Sequence, residues 1–230
     1  MSPATARQMV ESCCTVDVRH LLPAVTTPTL VVRRVDETWL SVEHGQYLAA
    51  HIPDARYATF IDDCRAARAG AEPRRAIKEV LRRAMSQPEE IAAALPPTRA
   101  EIARLHVSPE LTILKVVWAP GMHSGPHDHR MWACIGIYTG GEDNSLFRRA
   151  DRSLVSSGGR SLRPRDVLLL GDDAIHAVTN PTVDFAGAIH VYGGDFFAAQ
   201  RSEWTGPPYV EQPYDVDRVL AYFEAANRPN

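Results

Sequence analysis

The chain has 230 residues, 45% of them hydrophobic and 23% charged, which suits one large domain or a domain with an appendage. Its formal net charge is −3 and it has no Lys/Arg-rich run, so bulk electrostatics argue against nucleic acid and anionic membranes as partners. Cys13, Cys14, Cys64 and Cys134 form no C-x-x-C pair, which excludes the usual structural zinc motif and gives no disulfide framework.

The opening "MSPATARQMVESCCTVDVRH" lacks the apolar core of a signal peptide, and no apolar run reaches bilayer length; a cytoplasmic location is the expectation. Residues 1 to about 68 mix short pieces. "TPTLVVRRV" reads as a strand opened by a proline, and "VEHGQYLAAHI" as a short helix. "ARAGAEP" reads as a linker. From Pro73 to about residue 94 the pattern is helical, with Ile77, Val80 and Leu81 on one face and Pro88 where a second helix would start.

Between about 100 and 195 the texture is all-β. "LTILKVVWA", "MWACIGIYTG", "SLFRRA", "SLVSSG", "RDVLLLG", "IHAVTNP" and "FAGAIHVYGG" are short apolar or alternating runs, each bounded by Gly, Pro, Asn or Asp. Many short strands with close turn signals predict a sandwich or barrel. The tail "YDVDRVLAYFEAANRPN" predicts a short closing helix with Val216, Val219, Leu220 and Phe223 as its apolar stripe.

One stretch stands apart: "GMHSGPHDHRMWACIGIYTGG", Gly121 to Gly141, has three histidines within seven residues. His127 and His129 are two apart, so on a strand they share a face and form a chelating pair of the kind Fe, Zn, Cu or Ni accepts. A third ligand must come from later in the chain, where His176 and His190 lie on strand-like runs. His123 sits in a glycine-flanked loop and reads as a surface residue or an outer neighbour of the pair. His20, His44, His51 and His106 read as non-functional.

The same stretch resembles the first motif of the cupin superfamily, with Gly121, His127, His129 and Gly141 in place and Cys134 where the acidic ligand would stand. "RPRDVLLLGDDAIHAVTN" resembles the second motif through Pro164, Asp166, His176 and Asn180. The resemblance implies a mainly β fold: a cupin double-stranded β-helix, or jelly-roll barrel, over residues 69–230, preceded by helices and closed by one. It implies His127, His129 and His176 as metal ligands. A neutral three-histidine face leaves a divalent metal its full charge and open positions for an anionic substrate.

That site is similar to the thiol dioxygenases, the cysteine dioxygenase family of cupins. Trp118 precedes the pair at the family's distance, "HDH" is the family's common form, and "AIHVYGG" resembles its Ser-x-His-x-Tyr segment through His190 and Tyr192. "HDHRMWACIGIYTGGEDN" is similar to bacterial members acting on mercapto-acids. The resemblance implies an Fe(II) enzyme that oxidises a small thiol to its sulfinate with O2, with His190, Tyr192 and Cys134 as catalytic candidates. Cys134 falls where some members carry a cysteine crosslinked to the active-site tyrosine; strand alternation puts it on the face opposite His129 unless the strand bulges. The family's serine is Ala188 here, and its carboxylate-binding arginine is matched nearest by Arg104. Two alternatives remain: another three-histidine metal cupin, dioxygenase or hydrolase, on a non-thiol substrate, and a non-catalytic ligand-binding cupin.

Residues 10 to 66 resemble a C-terminal fragment of an α/β-hydrolase, with Asp36 near the acid position and Cys64 near that of the missing histidine. No Gly-x-Ser-x-Gly elbow occurs, so residues 1–68 read as a small non-catalytic α/β appendage. Its unpaired strand edges call for cover, by the barrel or by a homodimer, failing which the segment is expected to be poorly ordered.

Overall fold

The computed structural model describes residues 17–27, 29–31, 42–53, 56–57, 60–151 and 153–228. The chain divides into two units, Met1–Ala58 and Thr59–Asn230. The first contains a 3-10 turn at Arg19–Ala24, the short parallel pair β1 (Leu30–Val31) and β2 (Arg56–Tyr57), and helix α1 (Val42–His51) between them. Asp36 lies outside the described residues.

The boundary falls earlier than the expected 68. Phe60–Ala69 is helix α2, and its Cys64 is fully buried among Ile77, Leu81 and Met85. It therefore belongs with the second unit. Helices α3 (Pro73–Ala84) and α4 (Pro88–Ala94) follow, each with proline in its first turn, where the missing N–H costs nothing.

Eleven strands then build two antiparallel sheets. One has five strands: β3 (Glu101–Val107), β4 (Thr112–Trp118), β11 (Ala186–Tyr192), β6 (Ala133–Thr139) and β9 (Val167–Leu170), side by side in that order. The other has six, in the order β13 (Val210–Pro213), β12 (Ser202–Thr205), β5 (His127–Asp128), β10 (Ile175–Thr179), β7 (Glu142–Ala150) and β8 (Ser153–Leu162). This is a mainly β fold, the expected double-stranded β-helix. Helix α5 (Val216–Ala225) closes the unit, capped by Asp215, whose side chain accepts from the Arg218 N–H.

Strand alternation sorts the five-stranded sheet into two faces. Leu114, Val116 and Trp118, Ala133, Ile135 and Ile137, and Ala188 and Tyr192 join Leu162 and Val178 of the other sheet in the barrel interior. Ile113, Cys134, Tyr138, Ile189 and Val191 face the other way, onto Ile77, Val80, Leu81 and Met85. Both faces are covered, so β4 and β11 are buried at every position and are largely apolar, with Lys115 and His190 among the exceptions. Gly136 allows the helices to come close: a Cβ there would lie 2.8 Å from Met85 and 2.9 Å from Leu81. Among the described residues, no helix is long and apolar enough to cross a membrane.

Candidate metal centre and active site

His127 lies on β5 directly opposite His176 on β10, so antiparallel pairing points both imidazoles to the same side. His129 follows β5, just before Arg130, whose positive φ of 54° turns the chain. The three are 9%, 3% and 1% exposed, and a nitrogen from each lies within 4.8 Å of the others. His129 Nε2 and His176 Nε2 are 3.4 Å apart.

The outer nitrogens of two rings are committed elsewhere. His127 Nδ1 is 3.0 Å from the Gly125 carbonyl, and His176 Nδ1 is 2.8 Å from Asn144 Oδ1. Each oxygen can only accept, so each Nδ1 carries the proton and each Nε2 lone pair is free for a metal. Burial pushes His127 down to about 4, and pushes His129 and His176 well below the usual imidazole range, with neighbouring imidazoles adding to the shift. All three are neutral near pH 7, as ligands must be. Three converging neutral nitrogens, two of them on rings of fixed tautomer, fit a divalent transition metal of the Fe, Zn, Cu or Ni class.

Tyr192 and His190, on β11, share the inward face with Ala188. The Tyr192 ring lies 5.0 Å from that of His129, and its hydroxyl is 2.9 Å from His190 Nδ1. Burial raises the Tyr192 phenol, so it keeps its proton. The structure thus brings five of the seven sequence-predicted site residues together: His127, His129, His176, His190 and Tyr192.

Cys134 is not with them. Tyr192 is paired with Ala133, and Cys134 with Val191, so Cys134 points to the helix-covered face. The chain does break after His129, but no bulge carries Cys134 inward. Its thiol is fully buried and pushed up to about 12. A crosslink to Tyr192 is ruled out by this placement.

Arg104 is also displaced. It is exposed on β3, its guanidinium 4.0 Å over the Phe197 ring. The buried arginine is Arg201, 6% exposed, its guanidinium 3.8 Å from the ring centroids of both Phe196 and Tyr214. None of its three side-chain nitrogens makes a hydrogen bond of normal geometry. The Tyr214 ring lies 5.6 Å from that of His127, and the Arg201 charge is near enough to lower both His127 and His129. The sequence signal was slight: one arginine in the aromatic stretch "DFFAAQRSEW".

Strand β7 starts at Glu142, three residues before the alternating run that opens at Ser145, and so brings in two residues that this run does not include. Glu142 and Asn144 alternate on its inward face. Asn144 orients His176. Glu142 is fully buried, accepts from Trp118 Nε1–H at 3.0 Å, and lies 3.6 Å from His190 Nε2. Asn180 has a structural role: its amide nitrogen donates to the Trp118, Ala119 and Asp184 carbonyls. His123 is exposed.

No protein-family profile matches the chain. Among solved structures, the chain is similar to an RmlC-like cupin family protein with a double-stranded β-helix fold from Methanocaldococcus jannaschii, at 12% identity over 45% of this chain and 87% of that one, TM-score 0.38. A Cupin 2 conserved barrel domain protein from Salinispora arenicola CNS-205 matches at 24% identity over 40% and 73%, TM-score 0.33. An oxalate oxidase in complex with the substrate analogue glycolate matches at 15% identity over 44% and 53%, TM-score 0.35. None of these likenesses transfers a metal, a substrate or a residue's role to this chain.

Proposed function

We propose that the protein is an Fe(II) dioxygenase that converts a small acidic thiol, a mercapto-acid or cysteine, to its sulfinate. One observation carries the reading: a buried cluster of three neutral histidines stands beside a buried guanidinium whose nitrogens make no hydrogen bond of normal geometry. An arginine so placed leaves costly donors unmet unless an anion joins it. Its planar fork matches a carboxylate.

When bound at the three imidazoles, iron(II) would supply open positions for a thiolate and dioxygen and lower the thiol's pKa. Arg201 holds the carboxylate, and the rings of Phe196 and Tyr214 keep the guanidinium in one plane. The conversion R–SH + O2 → R–SO2⁻ + H⁺ releases one proton. The Tyr192 hydroxyl and His190 Nδ1, 2.9 Å apart, are the buried pair beside the histidines that can relay it.

Arg201 selects an anion rather than sulfur, so a sulfur-free small acid oxidised at the same centre is the second reading. Oxygen uptake by iron-loaded protein against 3-mercaptopropionate, cysteine, cysteamine and sulfur-free short acids separates the two. Turnover of the acidic thiols and weak turnover of cysteamine is the expected result. Uptake with the sulfur-free acids alone favours the second reading. No uptake with any of them, at full iron loading, removes both.

A further inference from the structure

Strand β7 supports both inner histidines from behind: Asn144 meets His176, and Glu142, two residues earlier on the same inward face, meets His190. Glu142 is fully buried. Its Oε1 accepts from the Trp118 indole, which can only donate. Its Oε2 has no hydrogen-bond partner, and neither has His190 Nε2. His190 Nε2 lies 3.6 Å from Oε1, and His190 is the only ion-pair partner of Glu142 among the described residues.

A buried carboxylate requires a donor or a positive partner. The gap is roughly 0.8 Å longer than a charge-assisted hydrogen bond, a distance that a small side-chain rotation closes. Ala188, the inward residue two before His190, has no hydroxyl to offer. No other residue competes in the observed contacts for His190 Nε2.

We propose that Glu142 is the positioning residue for His190: its carboxylate takes the Nε2–H and makes Glu142–His190–Tyr192 a buried triad beside the three-histidine cluster. The carboxylate fixes the imidazole as the Nε2–H tautomer and stops the ring from turning. Nδ1 is then an acceptor, and the Tyr192 hydroxyl, 2.9 Å away, donates to it in one fixed direction. The Trp118 indole donates to the same Oε1 that lies nearest His190, which anchors that oxygen beside the imidazole. The catalytic consequence rests on the dioxygenase reading; the pairing itself does not.

The test uses the full-length, metal-free protein with ¹⁵N-labelled histidine. In the wild type, one slowly exchanging, far-downfield imidazole proton is expected on Nε2 of His190, identified by its absence in His190→Gln. It should persist in Tyr192→Phe, which removes only the partner at Nδ1. It should move upfield or vanish in Glu142→Gln, where the charged acceptor is gone. A proton found on His190 Nδ1 in the wild type, or an unchanged resonance in Glu142→Gln, overturns the pairing. The wild-type spectrum alone decides the first point should Glu142→Gln fail to fold. In iron-loaded protein, Glu142→Gln should lower kcat about 10- to 100-fold and leave KM unchanged, as for loss of a group that orients a proton-transfer residue. An unchanged kcat overturns the positioning role. If the resonance behaves as expected while no thiol is turned over by the wild type, the pairing stands and the thiol reading falls.

Discussion

Arg201 and Asn144 carry the sharpest consequences at the scale of single residues. Arg201 lies between two aromatic rings, with no hydrogen bond of normal geometry at its three nitrogens. Replacing it by methionine keeps the stacking volume and removes the fork. The expected outcome is intact metal binding and weakening of a small carboxylate ligand by about 10- to 100-fold, the scale of one charge-assisted pair, measured by calorimetry on metal-loaded protein. Arg201→Lys should restore little, because a point ammonium does not reproduce the planar fork. Equal affinity in wild type and Arg201→Met would remove Arg201 from substrate recognition. Asn144 fixes the His176 ring through Nδ1. Asn144→Leu should lower metal affinity about 10- to 100-fold, read by chelator competition. The same imidazoles set a pH dependence. Their folded values lie below 6.5, with His127 at about 4, so below pH 6.5 the unfolded chain binds protons that the folded protein refuses. Stability of the metal-free protein is therefore complete above pH 6.5 and lost as pH falls toward 4. A thermal midpoint that stays level across that range would show that the three rings are not buried neutral.

At the scale of elements, the helix-covered face of the five-stranded sheet decides both packing and chemistry. Gly136 admits Leu81 and Met85 at distances no side chain allows. Gly136→Ala should cost about 1–3 kcal/mol in denaturant unfolding through overpacking, with metal occupancy unchanged. A neutral result would mean that the helices yield at no cost. That face also explains Cys134. The continuous apolar run from Ala133 to Tyr138 gave no sign of which side was inward, because helices bury the outer side as fully as the barrel buries the inner. Asp128 illustrates the opposite case. Between two inward histidines it must point out, and there it is buried under Arg130 and Arg149 and accepts from the Ser202 N–H, tying β5 to β12. The H-x-H motif is therefore held from behind by its middle residue.

For the whole molecule, the division at Ala58 and Thr59 predicts that residues 59–230 fold alone. All ligand candidates lie in that unit, so the isolated piece should bind one divalent metal per chain with the affinity of the full chain. Failure to fold, with the full chain folding well, would make the first unit integral to the core. A cut at 68 is a poorer choice, because it removes Cys64 from the cluster of Ile77, Leu81 and Met85.

The β-rich barrel, its leading and closing helices and the His127/His129 pair were legible in the residues alone. Period-two patterning and turn residues write strands locally, and an H-x-H pair on a strand needs no tertiary knowledge to share a face. The residues left His176 and His190 both open as the third ligand, and only the resemblance to the second cupin motif chose His176; the structure pairs its strand with β5. The tertiary structure alone decided the rest. Strands β12 and β13 have weak local signals; β12 pairs with β5, and β13 pairs with β12. Arg201 and Glu142 are charged residues whose sequence surroundings gave slight notice of burial; both are enclosed because distant aromatic and apolar side chains close around them. Cys134 and Arg104 matched expected positions in the chain, but sheet register and strand facing point them away. Facing depends on what covers each side of a sheet, and that is a property of the assembled fold rather than of any segment.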